Sequence, residues 1–535
     1  GDGDGDGDAD CICTPGEYEA GVCIGEDLSV CADDCMEYVP EPCGPQSSCV
    51  AGICEALFCS PGVSVCMGDD VVTCNDQGSD YLDPVPCGDT EGCELGQCFE
   101  LCSLVAQDPS SVGCSFIANR MDNFNNSLND SLIVGNTSPD KTASVQLYFT
   151  PNNTNNEQAQ GGAINVGPGQ THEFALTNTP FDDNSGLRVG GSYRVESNIP
   201  IIAYQHSPLQ QQFTNDASML LPEHAMRSNH VIASYANSLG GTYPSYFNVI
   251  ALEDNTTVNW TPRTNTLAGG GVPAVNANQT GMVMMNRFDT LQVRVQSINA
   301  DMSGTYVTGN GKKIWVIGAT ECVNVPANVT YCDHIEEQMI PLDYWGSEVV
   351  AAHSPDRGNE KHHFRVYAGE DDVMIMTNPP QPGTPFTLTN QGDFQNIVVN
   401  NNTSFVVTSD QDKPFLVVQY LESTSGGAGT GDPSMYQMVP TQQFLSSYAF
   451  VTGNNYPLHY VQITRAAGGA DVMVDGQTVN GYYQVGNYEV ADWQINEGSH
   501  FATSNQPFGI VGVGYSAATS YAYPGGLKLE TINPQ

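Results

Sequence analysis

The sequence predicts an all-β protein: four tandem β repeats of about 80–120 residues each, the size of one β-sandwich, behind a small disulfide-rich N-terminal region. Three observations carry this. First, one pattern is written four times: a buried apolar strand, a polar loop, and a second strand closed by proline. It reads Pro200-Ile-Ile-Ala-Tyr204 to Asp216-Ala-Ser-Met-Leu-Leu-Pro222, then Lys312-Lys-Ile-Trp-Val-Ile-Gly-Ala319 to Cys332-Asp-His-Ile-Glu-Glu-Gln-Met-Ile-Pro341. It recurs as Lys413-Pro-Phe-Leu-Val-Val-Gln-Tyr-Leu421 to Gly431-Asp-Pro-Ser-Met-Tyr-Gln-Met-Val-Pro440. The last copy is Gln506-Pro-Phe-Gly-Ile-Val-Gly-Val-Gly-Tyr515 to Ser520-Tyr-Ala-Tyr-Pro524. Repetition on this scale signals modules. Second, runs of β-branched and alternating residues are separated by Asn, Gly, Asp and Pro turns, and no amphipathic helical period is sustained. Third, 16 of the 18 cysteines fall between Cys11 and Cys114.

In chain order, residues 1–10 form an acidic Gly-Asp tail. Asp2, Asp4, Asp6, Asp8 and Asp10 read as a self-repelling flexible tether, or as hard oxygen ligands for calcium. Residues 11–56 and 57–101 are two copies of one cysteine module. Cys13-Thr-Pro-Gly matches Cys59-Ser-Pro-Gly, Cys23 to Cys31 matches Cys66 to Cys74, and Cys43, Cys49, Cys54 match Cys87, Cys93, Cys98. Such units are too small for a core and are stapled instead; six cysteines leave fifteen pairings open. Of the remainder, Cys102 is expected to pair with Cys114, Cys11 with Cys35 by elimination, and Cys322 with Cys332 across ten residues. With no His before His172, zinc is a poor competitor.

The β repeats are assigned to 102–230, 231–347, 348–447 and 448–535. Their openers are Ser144–Phe149, Tyr246–Leu252, His363–Tyr367 and Tyr460–Ile463. Ahead of these lie strands at Phe116–Ala118, Val231–Tyr235, Val349–Ala352 and Tyr448–Thr452. Packing of the repeats as a sandwich array is preferred, with a β-propeller as the alternative.

Charge and chemistry narrow the function. The net charge is −44, and residues 1–114 hold 24 acidic residues and no Lys or Arg. Such a surface repels phosphate, which disfavours nucleic-acid and anionic-membrane partners. Dense cysteines imply an oxidising compartment. The Gly-Asp start reads as a mature form whose export signal has been removed, and no apolar run reaches membrane-spanning length. No zincin, nucleophile-elbow or phosphate-loop motif occurs, the histidines are scattered, and no catalytic residue or required cofactor is assigned. Asp216 and Asp432, each in Asp-x-Ser-Met, read as turn caps. Adjacent acids such as Glu336-Glu337 point to opposite strand faces, unlike a glycosidase pair.

Several motifs in order resemble the N-terminal domain of the IgGFc-binding protein family, in particular its bacterial, myxobacterial-type surface members. They are Phe247-Asn-Val-Ile-Ala-Leu-Glu-Asp-Asn-Thr-Thr-Val258, Cys332–Pro341 with Tyr344-Trp-Gly346, Gly498-Ser-His500, Pro507-Phe-Gly509 and Ser520–Gly526, within about 112–530. The resemblance implies an extracellular, structural or adhesive role. Two readings follow. One is a surface rod that assembles with itself into a filament. The other is a monomeric module binding glycans or glycoproteins through aromatics such as Tyr243, Tyr246, Trp345 and Tyr482.

Overall fold

A computed structural model describes residues 11–44, 47–208, 214–239 and 243–535. The calcium expectation for Asp2, Asp4, Asp6, Asp8 and Asp10 lies outside the described residues. The chain forms two compact units, 1–104 and 105–535.

In the first unit each cysteine module is built from short antiparallel hairpins. Tyr18–Ile24 turns into Asp27–Cys31 through Gly25-Glu26, and Ser64–Met67 turns into Asp70–Thr73 through Gly68-Asp69. Gly25 and Gly68 sit at φ +65° and +64°, the left-handed conformation that two-residue hairpin turns demand. This shared scaffold selects one pairing twice. Cys13–Cys31, Cys23–Cys49 and Cys43–Cys54 in the first module correspond to Cys59–Cys74, Cys66–Cys93 and Cys87–Cys98 in the second. Cys11 bonds Cys35, and Cys102 and Cys114 are both in disulfides. Among the described residues the one α-helix is Leu101–Gln107.

In the second unit the sheets pair into sandwiches. The segment from Glu348 to Met438 shows the plan. One sheet runs Glu348–Ala351, Phe405–Ser409, Val373–Asn378, Phe386–Leu388; the other runs Phe394–Val399, His362–Ala368, Phe415–Tyr420, Met435–Met438. With strands counted in sequence, the orders are 1-6-3-4 and 5-2-7-8, all antiparallel. The core lies between the layers: Val349, Ile375, Phe405 and Val407 from one sheet meet Phe364, Val366, Ile397 and Val417 from the other. The same two orders describe the segment before it and, with one modification, the first and last segments. There the sixth and seventh strands are one long strand, Tyr193–His206 or Ser499–Ser516, that passes from one layer to the other.

Two strand expectations are corrected. Ser144–Phe149 lies in the third strand of the first segment; the second is Asp130–Asn136, whose residues are all buried and therefore show no alternation. The strand expected over Val231–Tyr235 is Asn229–Val231. Ser234 leaves the ladder because its carbonyl accepts Tyr420 Oη at 2.8 Å and Arg365 Nη1 at 3.1 Å.

The last strand of each segment is the proline-closed half of the repeated pattern. These are β1 Ala217–Met219, β2 Asp333–Gln338, β3 Met435–Met438 and β4 Thr519–Pro524. Each packs on the next, and β4 packs back on β1. The expected rod is thereby corrected to a closed ring with the repeated strands at its axis. Gln338 N donates to Ser218 Oγ at 2.7 Å, Gln437 Nε2 to Gln338 O at 2.7 Å, and Tyr456 Oη to Asn215 Oδ1 at 2.7 Å. The Tyr204 and Tyr523 rings meet at 4.5 Å.

Candidate functional site

The ring is tied by the loops that follow the seventh strands. Asp216, expected as a local turn cap, is wholly buried and joins three segments. Its carboxylate accepts Ala217 N (2.9 Å), Ser434 Oγ (2.7 Å), Met435 N (3.0 Å) and Glu336 N (3.2 Å). Asp432 does behave locally, accepting Thr424 N at 3.1 Å. Burial raises Asp216, Asp333, Glu336 and Glu337 well above the usual carboxylate range. Desolvation at the axis disfavours the charged forms of these acids.

One loop of the ring is closed covalently. Cys322 bonds Cys332, and between them the chain is pinned to the next segment. Val325 N donates to Ser423 Oγ at 2.9 Å, Ser423 N to Val325 O at 2.8 Å, and Ser425 N to Thr330 O at 2.9 Å. A pocket opens on each side of this loop. The first, about 390 Å³, is lined by Tyr331, Cys332, Thr424, Asp432, Ala517 and Ala518, and Tyr331 is 64% exposed. The second, about 330 Å³, lies between the second and third segments, where Tyr235, Val329, Tyr420 and Val398 supply apolar surface. Asn328, Lys361, His363, Asn396 and Glu422 supply its donors and acceptors.

The second pocket is preorganised. Arg365 stacks on Tyr235, Tyr420 and Phe394, with its Cζ 4.8, 5.2 and 4.4 Å from the ring centroids. It is anchored to Asp301 at 2.9 Å. Glu422 accepts Lys361 N at 2.8 Å and faces His363 Nε2 at 3.4 Å. A half-buried aromatic ring thus sits beside fixed polar groups and an exposed lysine, the mixture that holds a neutral polar ligand.

The aromatics expected to bind sugars are distributed otherwise. Tyr246 is buried, its hydroxyl donating to Asp122 O at 2.5 Å, and Trp345 is buried with Nε1 on Ile340 O at 2.9 Å. Both are core residues, which corrects that assignment. Tyr243 is half-buried against Phe124, and Tyr482 is half-buried under Arg465. Tyr235, Lys361 and Glu422 escaped sequence reasoning because three separate loops bring them together; the disulfide-closed loop was the one signal nearby.

The IgGFc binding protein family model matches residues 216–514, which begin on the axial aspartate and take in the second pocket. The match spans more than half the chain. The chain belongs to the IgGFc binding protein family. A comparison with curated proteins finds no match. The family and the disulfides together point to a secreted or surface protein of binding or adhesive type. No helix among the described residues is long and apolar enough to cross a membrane.

Proposed function

We propose that this IgGFc binding protein family member is an extracellular adhesive module that binds glycans of glycoproteins in the pocket between its second and third β segments. The observation that supports this is the pairing of the half-buried Tyr235 ring with Asn328, Lys361, Asn396 and Glu422 in one 330 Å³ pocket. An aromatic face stacks on the C–H surface of a sugar, and amide, amine and carboxylate groups take up its hydroxyls. Binding, not catalysis, is the role proposed. Head-to-tail filament growth is not adopted, because the axial faces through which the segments pack are used in closing the ring.

The test is a glycan array probed with the full, non-reduced chain. Tyr235→Ala is expected to weaken the bound signal by about tenfold or more, since aromatic anchors dominate small sites. Asn328→Ala, at an exposed position, is expected to weaken it less without affecting the fold. Binding that is unchanged in both variants, or no glycan bound by the wild-type chain, overturns the proposal.

A further inference from the structure

Three acidic side chains from the first and second segments meet away from both pockets. Asp122 lies between the strands Gly113–Ala118 and Asp130–Asn136, Asp183 between Thr171–Leu176 and Gly186–Arg188, and Glu321 in the strand Ile314–Val323. Their carboxylate oxygens lie within 4.8 Å of one another. Asp122 is fully buried and held on three sides. Asn126 Nδ2 donates to its Oδ1 at 2.8 Å, and Asp183 N and Gln292 Nε2 donate to its Oδ2 at 2.6 and 3.1 Å.

Two further oxygens point to a missing partner. Glu321 is 2% exposed and its Oε1 has no hydrogen-bond partner. Gln292 is wholly buried, touches Asp122 through its amide nitrogen, and also leaves its Oε1 unpartnered. No Lys, Arg or His among the described residues forms an ion pair with any of the three acids. Buried polar oxygens are normally satisfied, and buried carboxylates are normally paired or bound to metal.

We propose that Asp122, Asp183 and Glu321 bind a calcium ion that clamps the first β segment to the second. The ligands are hard oxygens from three separate stretches of chain, which suits the flexible coordination of calcium, whereas magnesium demands a near-octahedral shell. The buried Gln292 amide nitrogen, bonded to Asp122 Oδ2, holds that ligand in place.

The test uses the full chain, stripped with chelator and titrated with Ca²⁺, and reads thermal unfolding and tyrosine-sensitised Tb³⁺ luminescence. Tyr246 is the local antenna, because its hydroxyl bonds the carbonyl of Asp122. Calcium is expected to raise the unfolding midpoint and to displace Tb³⁺. Glu321→Gln is expected to lose at least about tenfold in affinity, as affinity follows ligand charge. Tyr246→Phe is expected to keep the calcium-dependent midpoint shift while losing most of the luminescence. If Glu321→Gln does not fold, Asp183→Asn at the half-buried position carries the same comparison. No calcium-dependent shift in the wild-type chain, or an equal shift in the ligand variants, overturns the proposal.

Discussion

The cysteine unit and the β unit hold their folds by opposite means. Between Cys11 and Cys98, seven disulfides link strands too short to enclose a core, and Ile12, Phe58 and Leu95 stay 64%, 68% and 90% exposed. The β unit instead buries Trp260, Trp315, Tyr204 and Tyr367 almost completely, and ties its segments together along the axis through hydrogen bonds such as Ser434 to Asp216 and Gln437 to Gln338. Cross-links act chiefly by restricting the unfolded chain, whereas burial removes apolar surface from water in the folded one. The two units should therefore fail under different perturbations.

Reduction is the strongest way to separate them. Thiol reductant is expected to unfold the cysteine unit while the β unit keeps its strand content, because seven closures are lost from a unit with little core. A loop of about 15–30 residues closed by one disulfide is worth about 3 kcal/mol. Replacing Cys23 and Cys49 by Ala alone is thus expected to open the first module. Limited proteolysis with and without reductant checks this. Cleavage spread evenly over both units would show that the comparison is misdrawn.

Within the β unit, one motif at two positions sharpens the contrast between a global tie and a local one. Asp216→Ala strips the acceptor from Ser434 Oγ and from the Met435 and Glu336 amides, all buried. At about 1–3 kcal/mol for each orphaned group, a loss of at least about 3 kcal/mol is expected. Asp432→Ala strands Thr424 alone and should cost about 1–2 kcal/mol. Denaturant unfolding of the two variants measures both. Equal losses would mean that Asp216 is the local cap its sequence context suggests.

That pair also shows what the sequence could and could not disclose. The axial strands were visible because each ends a repeated sentence, and repetition survives in one dimension. Ring closure was not, since its ties join residues such as Asp216 and Ser434, 218 positions apart. Alternation failed wherever both faces of a strand are covered. Asp130–Asn136 carries no alternating pattern and Tyr246 reads as a candidate sugar-binding aromatic, although every residue of each strand is buried. The pocket was hidden for the first reason and for another: Tyr235, Lys361 and Glu422 belong to no motif, and only folding sets them around one cavity.

A dependence on pH carried by buried groups of the β unit gives the last contrast. Two sets of buried groups oppose one another. Burial holds His206, His230 and His362 down at about 3 and His334 at about 4. They are neutral when folded and bind protons more readily when unfolded, so their contribution falls as pH drops below their ordinary value of about 6.5. The acids act the other way. Asp130 is pushed up to about 7, and burial also raises Asp216, Asp333, Glu336 and Glu337 well above the usual carboxylate range. A carboxyl group raised in this way holds its proton to higher pH in the folded chain than in the unfolded one, so its contribution is complete below about pH 4 and is lost as pH rises through the folded pKa. Between about pH 4 and 6.5 the two trends offset. Above about pH 6.5 the histidines are neutral in both states and the acids act alone, so the β unit should become steadily less stable into the alkaline range. The slope is about 1.4 kcal/mol per pH unit for each proton by which the two states differ. Unfolding midpoints measured from pH 6.5 to 9 check this. In Asp216→Asn, which keeps an acceptor but has no proton to lose, the slope should be shallower; an unchanged slope would mean that Asp216 is ionised at the axis.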